Sequence, residues 1–158
     1  MHGLCLESLQ EVVKADSSIL DVGFGSGYLC ACFAALGVGV HVVGVELVDE
    51  LVLRAVENLS KNHSSLLKSG RITLFKGDGY EGWPSLAPYA AIHVGAAAPS
   101  VPQALLAQLA PGGRLIIPIG ASSFGQELVQ YDKALAGGGI TSQILAGVRY
   151  VPLVHAAQ

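Results

Sequence analysis

Glycines stand at positions 23, 25 and 27, directly after the short stretch Ser18–Val22, and a single carboxylate, Asp21, lies near the end of that stretch. A backbone without Cβ atoms at alternate positions can turn sharply after a strand and approach a ligand closely. The spacing is G-x-G-x-G; a dinucleotide fingerprint, G-x-G-x-x-G, needs its third glycine at position 28, which is Tyr28. Asp21 adds negative charge at the strand end. Together these features favour a ligand carrying an ammonium or sulfonium centre over a pyrophosphate, so S-adenosyl-L-methionine stands ahead of NAD. Two further acids follow in order. Glu46 lies 19 residues beyond Gly27 (46 − 27), near the ~20 expected of a carboxylate that holds ribose hydroxyls. Asp78, between Gly77 and Gly79, can meet an adenine amino group while the adjoining backbone lies beside the ring. One such acid alone is an ordinary turn former; three in sequence describe a nucleoside site.

These residues need strands that end together. Ser18–Val22, Val40–Val45, Arg71–Lys76, Ala90–Val94 and Arg114–Ile119 read as strands, and Asp21, Glu46 and Asp78 fall at the carboxyl ends of the first three. Between them, helices are expected over residues 3–15, 28–36 (closed by Gly37), 49–63 and 101–109. In the third of these helices Leu51, Val52, Ala55, Val56 and Leu59 form the inward face. Pro111-Gly112-Gly113 is expected to turn the chain into the fifth strand. Residues 127–133 and 140–151, joined through Ala136-Gly137-Gly138-Gly139, read as an antiparallel hairpin. The fold class is therefore α/β: an open, mostly parallel Rossmann-like sheet in a single domain over residues 1–158, with a hairpin at its end.

Of the 158 residues, 51% are hydrophobic and 13% charged, which suits central strands covered on both faces. The net charge of −3 gives no electrostatic case for nucleic acid, and Gly, Ser, Asp or Glu interrupts every apolar run before membrane-spanning length. Cys5, Cys30 and Cys32 follow no disulfide framework and read as reduced thiols of a cytoplasmic protein. Two apart on one helix, Cys30 and Cys32 point in different directions, and no metal site is expected.

The chain resembles the protein-L-isoaspartate (D-aspartate) O-methyltransferases, and nearly its whole length carries the likeness. The matching segments are LDVGFGSGY (Leu20–Tyr28), Gly77–Gly79 with Ala87-Pro88-Tyr89, IHVGAAAP (Ile92–Pro99), VPQAL (Val101–Leu105), LAPGGRLII (Leu109–Ile117) and VRYVPL (Val148–Leu153). The glycine loop and the Pro-Gly-Gly turn are shared by many S-adenosylmethionine enzymes; the IHVGAAAP run and the terminal YVPL are specific to this family. The resemblance implies methyl transfer from S-adenosyl-L-methionine, leaving S-adenosyl-L-homocysteine, to the free carboxylate of L-isoaspartyl or D-aspartyl residues, in a monomer acting on damaged peptides and proteins. It places Asp21, Gly23, Phe24, Gly25 and Gly27 at the methionine end of the cofactor. Glu46 goes to the ribose, Asp78 and Gly79 to the adenine, Leu47 to the cofactor site, and His2 to a cofactor-site histidine of the family. Gly95, Ala96, Ala97 and Ala98 line the substrate cleft through their backbone. His93 is expected to be a structural histidine.

The chain departs from the family pattern at three points. The family's serine or threonine motif, treated as its active-site residue, has no counterpart here because Met1-His2 aligns with the end of that motif, so no catalytic residue is assigned. An N-terminally truncated product that keeps the cofactor cleft and lacks part of its lid is the expectation. Ala90 and Val154 stand where the family carries an aspartate and a threonine. Competing readings are a cofactor-binding protein without turnover, an NAD-dependent oxidoreductase and a small-molecule methyltransferase of the same fold.

Overall fold

Central strands buried on both faces require parallel pairing under helices, and the computed structural model, which describes residues 1–120 and 125–156, has that form. Its elements are α1 (His2–Gln10), β1 (Ser18–Val22), α2 (Tyr28–Ala34), β2 (His41–Glu46), α3 (Asp49–Asn62), α4 (Ser64–Lys68), β3 (Ile72–Lys76), β4 (Tyr89–Val94), α5 (Gln103–Ala107), β5 (Leu109–Ile119), β6 (Gln126–Lys133) and β7 (Ile140–Val148), with one 3-10 turn at Pro84–Leu86. The seven strands form one sheet in the order β3-β2-β1-β4-β5-β6-β7. Pairs from β3 to β5 are parallel, while β6 and β7 close the sheet antiparallel. The chain moves outward from β1 to β3, then crosses to β4 on the other side of β1. That reversal opens a crevice beyond the carboxyl ends of β1 and β4. Among the described residues no helix is long and apolar enough to cross a membrane.

One face of the sheet packs Ile19, Val42 and Ile116 under α1, α2 and α3; the other packs Leu20, Val43, Ile92 and Leu115 under α5 and the loop at Trp83. The alternation of Ile19 and Leu20 between these two cores is the period-2 pattern of a strand covered on both sides.

Several boundaries differ from the sequence expectation, and each has a local cause. Helix α1 stops at Gln10 instead of continuing to residue 15. There the Arg114 guanidinium donates to the Ser8 carbonyl and the Glu11 carboxylate, both at 2.6 Å, and to Asp132 at 2.6 Å. A cation received by the last turn ends the helix favourably. Helix α2 ends at Ala34 and Gly37 is not its left-handed cap; Ala35 and Leu36 close the helix with bonds to Cys32 and Phe33, and Gly39 (φ +69°) takes the left-handed position. In α3, which ends one residue short of His63, Ala55 and Leu59 are buried as expected but Val56 faces solvent. The short helix α4 was not read from the sequence.

Helix α5 covers Gln103–Ala107 rather than 101–109: Pro102 before it is extended, and Gln108 is its C-cap, with a side chain that holds a loop. Its amide nitrogen donates to the Glu81 carbonyl at 2.7 Å, and its oxygen accepts from the Trp83 N–H at 2.9 Å. Pro111-Gly112-Gly113 does not precede β5 but lies within it, at an irregularity in pairing between Tyr89 and Ala91 of β4. A Cβ at Gly113 would lie 3.0 Å or less from the carbonyls of Tyr89, Ala90 and Ala110, so glycine lets the bulged strand stay close to β4. The final hairpin forms as expected, with β7 ending at Val148.

Candidate functional site at the carboxyl ends of β1, β2 and β4

Register decides what Asp21 meets. It pairs across the parallel ladder with His93 of β4, so the two side chains leave the sheet on the same face. His93 Nδ1 lies 2.7 Å from Asp21 Oδ1, and the Cys30 thiol donates to Oδ2 at 3.2 Å. Both partners are buried, Asp21 completely. Burial opposes a charged imidazole, but the hydrogen bond and charge of Asp21, joined by Cys5, outweigh it and push the His93 pKa up to about 9. Burial, with the neighbouring Asp21 charge, pushes the Cys30 thiol well above its ordinary value. Cys5, Cys30 and Cys32 are all free thiols.

The His93 shift has a stability consequence. Its pKa is higher folded than unfolded, where the ordinary value is 6.5. Folding therefore takes up a proton between those values, and stability falls as pH rises. The contribution is complete below about pH 6.5 and disappears as pH rises through about 9. Midpoints of thermal unfolding from pH 6 to about 8.5, below the pH at which the raised Cys30 thiol adds a decline of its own, should show this decline in the native chain and not in His93→Gln; a parallel decline in both would remove His93 as its source.

Glu46 ends β2 with a carboxylate that holds three backbone N–H groups. Oε2 accepts from Gly25 at 3.1 Å, and Oε1 accepts from Leu47 at 2.9 Å and Val48 at 3.2 Å. This one side chain fixes the glycine loop against the start of α3, and its Oε2 retains a lone pair towards the cleft. Gly23 and Gly95 form the cleft's narrow point: the Gly95 N–H bonds the Val22 carbonyl at 2.8 Å, and a Cβ at Gly95 would lie 2.8 Å from the Gly23 carbonyl oxygen. Gly95→Ala is expected to cost about 1–3 kcal/mol in urea unfolding, since the obstacle is backbone; a loss within experimental error would mean that the two loops part freely.

Two cavities share that wall. One, beside α1, is lined by His2, Asp21, Gly23, Phe24, Tyr28, His93, Gly95 and Tyr150, among others. The other, of about 360 Å³, has Gly23, Gly25, Glu46, Leu47, Val48, Gly79, Gly95 and Ala96 in its walls, closed by Val151–Val154. It is within the range of small-ligand sites.

Most of the expected residues are thus brought together. Gly27 is not: with φ +79° and a would-be Cβ 3.1 Å from Ala55, it seats α2 against α3. Ala97 and Ala98 also face away from both cavities. The Ala97 backbone bonds Val151 and Leu153, and the Ala98 backbone bonds Pro118 and Gly120. Asp78 lines neither cavity; its Oδ1 accepts from the Tyr80 N–H at 2.8 Å, and its Oδ2 meets His155 and the Ala156 N–H. Burial works to raise its pKa, but those amides and the His155 ring hold it below the ordinary carboxylate value. Tyr28, Tyr150 and Val151–Val154 went unassigned in the sequence. Only the return of the chain past Ala97 brings the last five to the cleft, and no local pattern encodes that return.

A family model described as protein-L-isoaspartate(D-aspartate) O-methyltransferase matches residues 1–158. Protein-L-isoaspartate O-methyltransferase 1 of Arabidopsis thaliana is 46% identical over 97% of this chain and 66% of its own length. The Caenorhabditis elegans protein-L-isoaspartate O-methyltransferase is 44% identical over 97% of this chain and 68% of its own. The chain thus spans about two thirds of the relatives it matches. A Plasmodium falciparum crystal structure bearing the same family name, in complex with S-adenosyl-L-homocysteine, superposes with a TM-score of 0.88 at 35% identity, covering 98% of this chain and 73% of that one. On the family match over its full length and on this similarity, the chain belongs to the protein-L-isoaspartate(D-aspartate) O-methyltransferase family.

Proposed function

We propose that this chain binds S-adenosyl-L-methionine across the two cavities and serves methyl transfer to the free carboxylate of L-isoaspartyl or D-aspartyl residues in damaged proteins. The observation that carries the reading is the Glu46 carboxylate, which anchors the Gly25 amide and faces the larger cavity with an unfilled acceptor. The residues present fit an adenosyl group with a charged tail. Glu46 Oε2 would accept from ribose hydroxyls. Leu47 and Val48 would cover the base beside Gly79; the missing Cβ there makes room for Val22 and Leu153, which close the same wall. Across the glycine wall, the cavity holding His2, Asp21, Gly23 and Phe24 would take the amino-acid end.

The acceptor needs no general base. A carboxylate of pKa near ~4 is already ionised at neutral pH. When bound, the cofactor supplies a methyl on a sulfonium and leaves as a neutral thioether. What remains for the protein is to hold carboxylate oxygen, methyl carbon and sulfur in line and to exclude water. Gly95, next to both cavities, and Ala96, beside the larger one, are small and would let the acceptor approach. Three free thiols suit a reducing, cytoplasmic setting, and the proposal includes a monomer that needs neither nucleic acid nor membrane. The test is methyl transfer to an isoaspartyl peptide, with S-adenosylhomocysteine binding measured beside it. Binding with transfer is expected. Binding without transfer would leave a cofactor-binding protein, and binding of NAD alone would overturn the reading.

A further inference from the structure

We propose that the segment Val154–Ala156 is a built-in competitor for the adenine end of the cleft, an inference that rests on the nucleoside reading of that cleft. An adenine held by Asp78 would donate its amino N–H to the carboxylate and lay a flat ring beside the chain that follows. His155 does both. Its Nδ1 faces Asp78 Oδ2 at 3.1 Å, and its ring stacks on Tyr80 with centroids 3.9 Å apart and planes 15° from parallel. The Ala156 N–H donates to the same oxygen at 3.0 Å. Tyr80 N–H occupies Oδ1 at 2.8 Å, and the Asp78 side chain is left only 17% exposed. No carboxylate oxygen of Asp78 is therefore without a protein partner.

The attachment of the segment makes this occupancy reversible. Leu153 is fixed: its N–H donates to the Ala97 carbonyl at 2.7 Å, and its carbonyl accepts from the Tyr80 hydroxyl at 3.3 Å. Val154 and His155 beyond it are exposed, and the bonds that hold them down are those to Asp78. A tether of two residues from that fixed point keeps the imidazole at high effective concentration beside Asp78. A nucleoside must displace it, so its apparent affinity is lowered by the fraction of chains with the segment open.

The test is calorimetric titration of S-adenosylhomocysteine into three proteins: the native chain, His155→Ala, and a chain lacking residues 155–158. His155→Ala removes one hydrogen bond and the Tyr80 stack, and the truncation removes both hydrogen bonds; partly offset by solvent, these losses should make both variants bind about three- to tenfold more tightly. In the native chain, saturating adenosine should shift the His155 imidazole resonances to those of a free side chain. Equal affinity in all three proteins, with His155 resonances unmoved, overturns the competitor while leaving the nucleoside site intact. Weaker binding in the variants also overturns it, since the segment would then be a wall of the site. Binding to none of the three overturns the nucleoside reading itself, and the competitor with it.

Discussion

Asp21→Ala should lose about 3–5 kcal/mol of folding stability, the largest loss expected of any substitution at the cleft. The reason is the partner left behind. His93 is buried and carries a pKa of about 9, so it is charged at neutral pH opposite Asp21. Without that carboxylate the imidazole keeps Cys5 and the Phe33 ring, 5.5 Å away, as neighbours, and neither can balance a charge. The ring must then shed its proton. The double variant Asp21→Ala/His93→Ala removes the stranded group and should be less destabilised than the sum of the two single variants. Urea unfolding of the four proteins gives the coupling. Strict additivity would mean that the pair contributes no interaction beyond packing.

Glu46→Gln should lower S-adenosylhomocysteine affinity by about 10- to 100-fold, on the scale of one or two hydrogen bonds to a charged acceptor. All three protein partners of the carboxylate are N–H donors: Gly25 on one oxygen, Leu47 and Val48 on the other. A glutamine can offer an oxygen to one side only. Its amide nitrogen then faces a donor on the other, either freeing the glycine loop or opening the start of α3. Glu46→Asp should fare no better, because the shorter side chain cannot span both sites. Titration calorimetry reads the loss directly, and affinity within twofold of native for Glu46→Gln would remove this residue from the ribose site.

How much of this was legible beforehand depends on whether a feature is local. Strand β1 is bounded as expected, because Ser18–Val22 is a β-branched and aliphatic stretch cut off by glycines whose φ values are positive. The order of Asp21, Glu46 and Asp78 was readable because each acid follows its own strand. What Asp21 and Asp78 touch was not. Asp21 was expected as a bare charge for a cationic ligand, yet a register set across 72 residues pairs it with His93. Asp78 was expected to be open, yet it receives a segment 77 and 78 residues further along. The end of α1 follows the same rule: the apolar spacing continues past Gln10, but Arg114, more than 100 residues away, determines where the helix stops. Ala97 and Ala98 have small side chains that suit a cleft, but their backbone bonds go to the returning chain and to β5.

The contact of Gly23 with Gly95 has a thermodynamic meaning as well as a steric one. It is a partition with a cavity on each side, made of backbone with no side chain to cushion movement. A ligand that shifts it from one side changes the space offered on the other. By linkage, the second occupant must then alter the affinity of the first by the same factor. With a cofactor that spans both cavities, its adenosyl end and its amino-acid end would therefore be coupled through two residues that carry no side chain.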